Sequence, residues 1–139
     1  MIQGIPLEVL QFIFSYVRLT SDDVLVDLGS GDGRVCLYAS KHYGCYAVGY
    51  EIDKAQYEKA VETQKWYGGN ASFIYKDFKE ADLSKYSVIF GYIHSYDGVD
   101  FSKVSKDTKI VTVATKPFGL KLLEQIDCLR HRFYLWSVE

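Results

Sequence analysis

Hydrophobic and polar positions follow two different periods along this chain. Over residues 5 to 18, Leu10, Ile13, Phe14 and Val17 recur at i, i+3, i+4 and i+7, which predicts an amphipathic helix with Pro6 in its first turn. After a polar turn from Thr20 to Asp23, the apolar run Val24-Leu25-Val26 fits a strand buried on both faces of a parallel sheet. The run ends in Asp27 and three alternate glycines, Gly29, Gly31 and Gly33. A helical segment from Arg34 to Tyr43 follows, closed by Gly44. Tyr46 to Tyr50 forms a second strand that ends in Glu51. Asp53, with Gln56 three residues on, reads as a capping box for a helix reaching Tyr67 and stopped by Gly68-Gly69.

The remaining strands are shorter signals: Ala71 to Tyr75, Ser87 to Phe90 and Lys109 to Thr115. Lys121 to Leu129 and Arg132 to Val138 predict a terminal hairpin with its connection at Arg130-His131, adding an antiparallel strand to an otherwise parallel sheet. Alternating strand and helix places the chain in the α/β class. With no repeat, linker or low-complexity tract, residues 1–139 are expected to form a single domain.

The glycine turn between the first strand and its helix carries the chemistry. Glycines there allow φ > 0 and let a ligand lie directly on the backbone. The dinucleotide pattern G-x-G-x-x-G requires a third glycine where this chain has Arg34, and no Gly-Lys-Ser/Thr marks a phosphate loop. Asp27 and Asp32 would repel a pyrophosphate but favour a ligand bearing an ammonium and a sulfonium. The loop therefore suits S-adenosylmethionine. Glu51, at the carboxyl end of the second strand, is placed to accept hydrogen bonds from ribose hydroxyls; the alternative is a surface acid at the start of the next helix. Asp77 and Phe78, after the third strand, fit an acid and a ring around the adenine, although an aspartate there is also a common turn former.

Composition removes some other classes. Net charge is −2, from 16 basic and 18 acidic residues, which gives no sign of nucleic-acid affinity. Three cysteines without C-x-x-C spacing argue against a disulfide framework or a zinc site, and no metal site is expected. They are read as buried free thiols of a reducing compartment, which with the lack of a signal peptide implies a cytoplasmic protein. No apolar run reaches the roughly 18 residues of a membrane helix, so no membrane insertion is expected.

The runs LVDLGSGDGRV, AVGYEID, SFIYKDF and SKYSVIFG, in this order and spacing, resemble the small protein lysine methyltransferases of archaea. They are similar too to the mitochondrial enzymes acting on the c-ring protein of ATP synthase and on the adenine nucleotide translocase, all class I S-adenosylmethionine-dependent methyltransferases. That resemblance implies a Rossmann-like fold, a mostly parallel seven-stranded sheet with a C-terminal antiparallel hairpin and helices on both faces. It implies that Asp27, Gly29, Gly31 and Gly33 hold the methionine part of the cofactor, that Glu51 holds the ribose, and that Asp77 and Phe78 hold the adenine. Gly91 would approach the sulfonium, with Ser30 and Ile52 completing the cofactor set. The chain departs from the family in two places. Only Gly4-Ile5-Pro6 stands where a P-S/T-P segment usually covers the cofactor, and Tyr92, His94 and Tyr96 follow VIFG in place of an apolar loop with glutamine and methionines.

The reaction so implied is methylation of a lysine on a protein substrate. A lysine must first lose its proton, at a free pKa of about 10.4, and a tyrosine-lined, partly apolar pocket favours the neutral amine. Tyr92 and Tyr96 are candidates to line that pocket, and His94 to accept the proton; a histidine on the surface or bonded to backbone is the alternative there. Two other readings stay open: a small-molecule methyltransferase of the same fold, and a non-catalytic module that binds the nucleoside. No nucleic-acid partner is expected, because Gly91-Tyr92-Ile93-His94 does not resemble the N/D-P-P-Y/F/W loop of base methyltransferases. The sequence carries no signal for an oligomeric state.

Overall fold

The computed structural model describes residues 4–139. Its elements are α1 (Leu7–Tyr16), β1 (Val24–Leu28), α2 (Arg34–Tyr43), β2 (Tyr46–Glu51), α3 (Lys54–Tyr67), β3 (Asn70–Tyr75), β4 (Val88–Gly91), β5 (Lys109–Val113), β6 (Lys121–Cys128) and β7 (His131–Ser137). Two short 3₁₀ turns, Phe78–Glu80 and Leu83–Lys85, lie between β3 and β4. The seven strands form one sheet in the order β3-β2-β1-β4-β5-β7-β6. All neighbours are parallel except β7, which runs antiparallel to both β5 and β6.

Alternation along the strands builds two cores. Leu25, Val88, Phe90, Val111 and Phe133 point to the face covered by α1 and α2. Val26, Ile89, Ile110, Tyr134 and Trp136 point to the other. On that second face the only helices among the described residues are 3₁₀: Leu83, Tyr86, Tyr96 and Val104 cover it from turns and loops. The expectation of helices on both faces is thus met by α-helices on one side alone. The reason is local. From residue 92 to 108 the chain closes small turns on itself, with Ser95 Oγ accepting from the Asp97 amide, Asp100 from Ser102 and Ser105 from Asp107. Such side-chain bonds compete with helical ones.

Helix boundaries follow the capping residues. α2 is bracketed by Gly33 and Gly44, both left-handed, and α3 begins at Asp53, whose carboxylate accepts from the amides of Ala55 and Gln56. The reciprocal half of the expected capping box is absent: Gln56 Oε1 has no partner, and the Asp53 amide donates instead to Glu51 Oε2 at 2.9 Å. Pro6 is the N-cap of α1 rather than a first-turn residue. The C-terminal hairpin turns one residue earlier than expected, at Leu129-Arg130, with φ of 47° and 68°. These are the signs of a type I′ turn, which usually advertises itself by Asn-Gly and here does not. Cys36 and Cys45 are buried and Cys128 is half-buried; all three are free. No described helix is long and apolar enough to cross a membrane.

Candidate functional site

The loop after β1 is fixed by its backbone. The amides of Gly29 and Ser30 both donate to the Tyr50 carbonyl of β2, at 3.0 and 2.9 Å. Gly29, Gly31 and Gly33 all have positive φ, at 78°, 56° and 88°. A Cβ on Gly29 would lie 2.8 Å from Ile93 Cγ2, and one on Gly33 would lie 2.7 Å from the Phe73 ring. Gly33 therefore performs the close helix–strand packing that the dinucleotide pattern gives to its last glycine, one position earlier. Gly49 in β2 serves the same loop from beneath, since any Cβ there would lie 2.5 Å from Ser30 Cβ. Ser30 is buried, and its hydroxyl has no partner.

Glu51 ties this loop to the next turn. Its Oε1 accepts from the Gly31 amide at 2.6 Å and its Oε2 from the Asp53 amide at 2.9 Å, while the side chain is buried. Asp27 is 3% exposed. Burial first, and then the charges of Glu51 and Asp32, push its carboxyl up to about 8. Asp27 therefore holds its proton at neutral pH, and a cation bound beside it would favour the ionised form and draw that proton off.

Two recesses meet over these residues. The smaller, about 100 Å³, has Asp27, Ser30, Gly31 and Asp32 on its floor and Phe90 and Ile5 against it. The larger, about 410 Å³, is lined by Glu51, Ile52, Phe78, Ile93 and His94. Gly29 and Tyr92 belong to both, so Tyr92 stands where the two join.

Most residues expected from the sequence gather here, but four do not. Gly33 lies under the loop, in the packing just described. Asp77 lines neither recess: its Oδ1 accepts from the Lys79 amide at 3.0 Å as the cap of a 3₁₀ turn, the turn-forming alternative. Gly91 faces Tyr96, whose hydroxyl would overlap any Cβ there. Tyr96 is a correction to the pocket-wall expectation: it is buried in the second core with its hydroxyl unpartnered, and burial raises its pKa.

Sequence reasoning misses the part played by Arg34. Its Nη1 donates to the Ile5 carbonyl at 3.2 Å, pinning the segment before α1 beside the smaller recess. A cation in the first turn of a helix opposes the helix dipole, and that is the available signal. Ile93 reaches both Gly29 and the larger recess from a loop that gives no periodic signal. No group of three or more His, Cys, Asp or Glu among the described residues is placed to hold a metal ion.

Residues 5–128 match the family model described as Histone methylation protein DOT1. A protein-lysine N-methyltransferase of Saccharolobus islandicus is 32% identical over 87 residues, 60% of this chain and 54% of that protein. A human lysine N-methyltransferase named for the c-ring protein of ATP synthase is 41% identical over 71 residues, 48% of this chain and 30% of that protein. The chain thus spans about half or less of the length of these relatives. Among solved structures, an RNA methyltransferase from Salinibacter ruber in complex with S-adenosyl-L-homocysteine superposes with a TM-score of 0.89 at 28% identity, covering 98% of this chain and 94% of that one. An acid-lined recess floored by glycines fits this class of ligand, and the cofactor is S-adenosylmethionine. The chain belongs to the DOT1 family of histone methylation proteins, on the class I S-adenosylmethionine-dependent methyltransferase fold.

Proposed function

We propose that this chain transfers a methyl group from S-adenosylmethionine to a lysine side chain of a protein. The observation that carries this reading is the pair of recesses joined at Gly29 and Tyr92, one lined by acids and the other by Glu51 and Phe78. Asp27 and the Gly29–Gly31 backbone would hold the cofactor's amino-acid end, Glu51 its ribose and Phe78 its base. Bound there, the cofactor supplies a methyl group on a positively charged sulfur, open to in-line attack.

The chain's own residues supply alignment and a dry slot. Tyr92, Phe90 and Ile93 form a partly apolar junction that disfavours an ammonium and so favours the neutral amine. His94, exposed on the wall of the larger recess, is positioned to take the amine's proton directly or through water. The names of the archaeal and human relatives support lysine as the acceptor.

A second reading, methylation of RNA, rests on the Salinibacter likeness, which runs over nearly the whole of both chains. The deciding experiment supplies methyl-labelled S-adenosylmethionine to protein and RNA fractions of a source-cell lysate, with Asp27→Ala and Phe78→Ala as controls. A discrete protein band, assigned to methyl-lysine by peptide mass spectrometry and lost in both variants, is the expected result. Label in RNA selects the second reading. Label in small molecules, or cofactor binding without transfer to any fraction, overturns both.

A further inference from the structure

Charge is divided across the mouth of the site. Four acidic side chains line the two recesses, Asp32, Glu51, Asp53 and the raised, buried Asp27, and the one guanidinium among them, Arg34, is tied to the Ile5 carbonyl. Beyond Tyr92 the sign reverses. The Tyr92 ring meets His131 edge-on, with centroids 6.4 Å apart, and His131 opens onto a cavity of about 520 Å³ lined also by Arg130, Arg132 and Tyr134. Lys116 stands over the Tyr134 ring at 5.2 Å. Arg132 is already closed on Asp127, at 2.7 and 3.2 Å. Arg130, in the exposed hairpin turn, makes no ion pair among the described residues.

We propose that the acceptor lysine lies in an acidic segment, whose flanking carboxylates dock on Arg130 and Lys116 while the lysine enters at Tyr92. This rests on the lysine reading above and names its substrate class. A guanidinium matches a carboxylate bidentately, and an ammonium attracts one as a point charge. The acids of the recesses attract the lysine itself. A bipolar mouth of this kind suits a peptide that alternates the two charges. It does not suit a nucleic-acid strand, whose uniform phosphates would have to pass Asp32, Glu51 and Asp53 and whose binders carry a continuous basic track.

The test uses lysine-centred peptides carrying two Glu residues scanned over the flanking positions, with Gln at the same positions as controls. Methyl transfer is read with labelled cofactor, and binding by fluorescence anisotropy with S-adenosylhomocysteine present. The Arg130→Glu/Lys116→Glu variant is checked first for unchanged melting temperature and cofactor affinity. Glu-flanked peptides are expected to exceed Gln-flanked ones about tenfold in kcat/KM at one register, the variant losing that advantage and preferring Lys-flanked peptides. Equal rates for Glu and Gln peptides in the native chain, or a Glu preference that survives in the variant, overturn the inference. So does methylation of a single-stranded RNA oligonucleotide that the variant abolishes. Charge-dependent peptide binding without any transfer sustains the docking surface and overturns the lysine reading instead.

Discussion

From β1 to β3 each strand passes into an α-helix and back through turns of a few residues, whereas from β4 to β7 the strands are joined by loops and a hairpin. The first half is stabilised by neighbours in sequence: glycine caps, an aspartate N-cap, and helices packed on the strands beside them. The second half has no α-helix to cap or cover its strands and depends on strand pairing, such as β5 with β7, and its outer strand β6 is exposed along most of its length. The lesson is functional as well as architectural. On the function proposed above, the helix-linked half holds the cofactor, and the loop-built half contributes Tyr92, His94 and the basic rim to the acceptor side.

The largest effect should come from the half that has least local support. Phe133 is fully buried between β5 and α1, and Phe133→Ala should cost about 3–5 kcal/mol in urea unfolding. Gly33→Ala should cost about 1–3 kcal/mol, from positive φ and overlap with Phe73. A larger penalty at Gly33 than at Phe133 would reverse the comparison. Glu51→Ala comes next. It strips acceptors from the amides of Gly31 and Asp53, and should weaken cofactor binding by about tenfold or more in calorimetry while lowering stability by about 1–3 kcal/mol.

Asp27 provides a pH test. Its carboxyl is raised to about 8 in the ligand-free protein, while the unfolded chain loses the same proton near pH 4. The folded state binds more protons between these values, so ligand-free stability should fall as pH rises from about 4 to about 8 and level off above. Asp27→Asn should remove that slope in thermal melts. Cofactor affinity in the native chain should rise with pH over the same window, because a cationic ligand prefers the ionised acid, and the Asn variant should lose both the rise and much of the affinity. The smallest effect belongs to the β6–β7 hairpin. The Asp127–Arg132 pair is exposed, and Asp127→Ala should leave the melting temperature unchanged. The same change releases Arg132 to the basic rim, so binding of Glu-flanked peptides should hold or tighten in anisotropy.

The same division explains what can be read from the sequence. α2 is legible to the residue because Gly33 and Gly44 mark both its ends, and Glu51 because it closes a strand at the spacing a nucleotide site requires. The hairpin turn falls a residue away from its expected place because Leu129 and Arg130 take positive φ without glycine or asparagine to announce it. Tyr96 misleads because nothing in a loop sequence separates a ring that lines a pocket from one that fills the space beneath Gly91. Asp77 fits two roles by type and position, and the geometry satisfies the local one. The Arg34 bond to Ile5 joins residues 29 apart, and no short window of sequence contains both.

The double grip of Glu51 on Gly31 and Asp53 has a kinetic meaning. The glycine loop is held in shape by the chain's own bonds, so little ordering cost falls on the binding event. Cofactor capture should then proceed at the speed of encounter, and exchange of spent for fresh cofactor should be governed by departure alone.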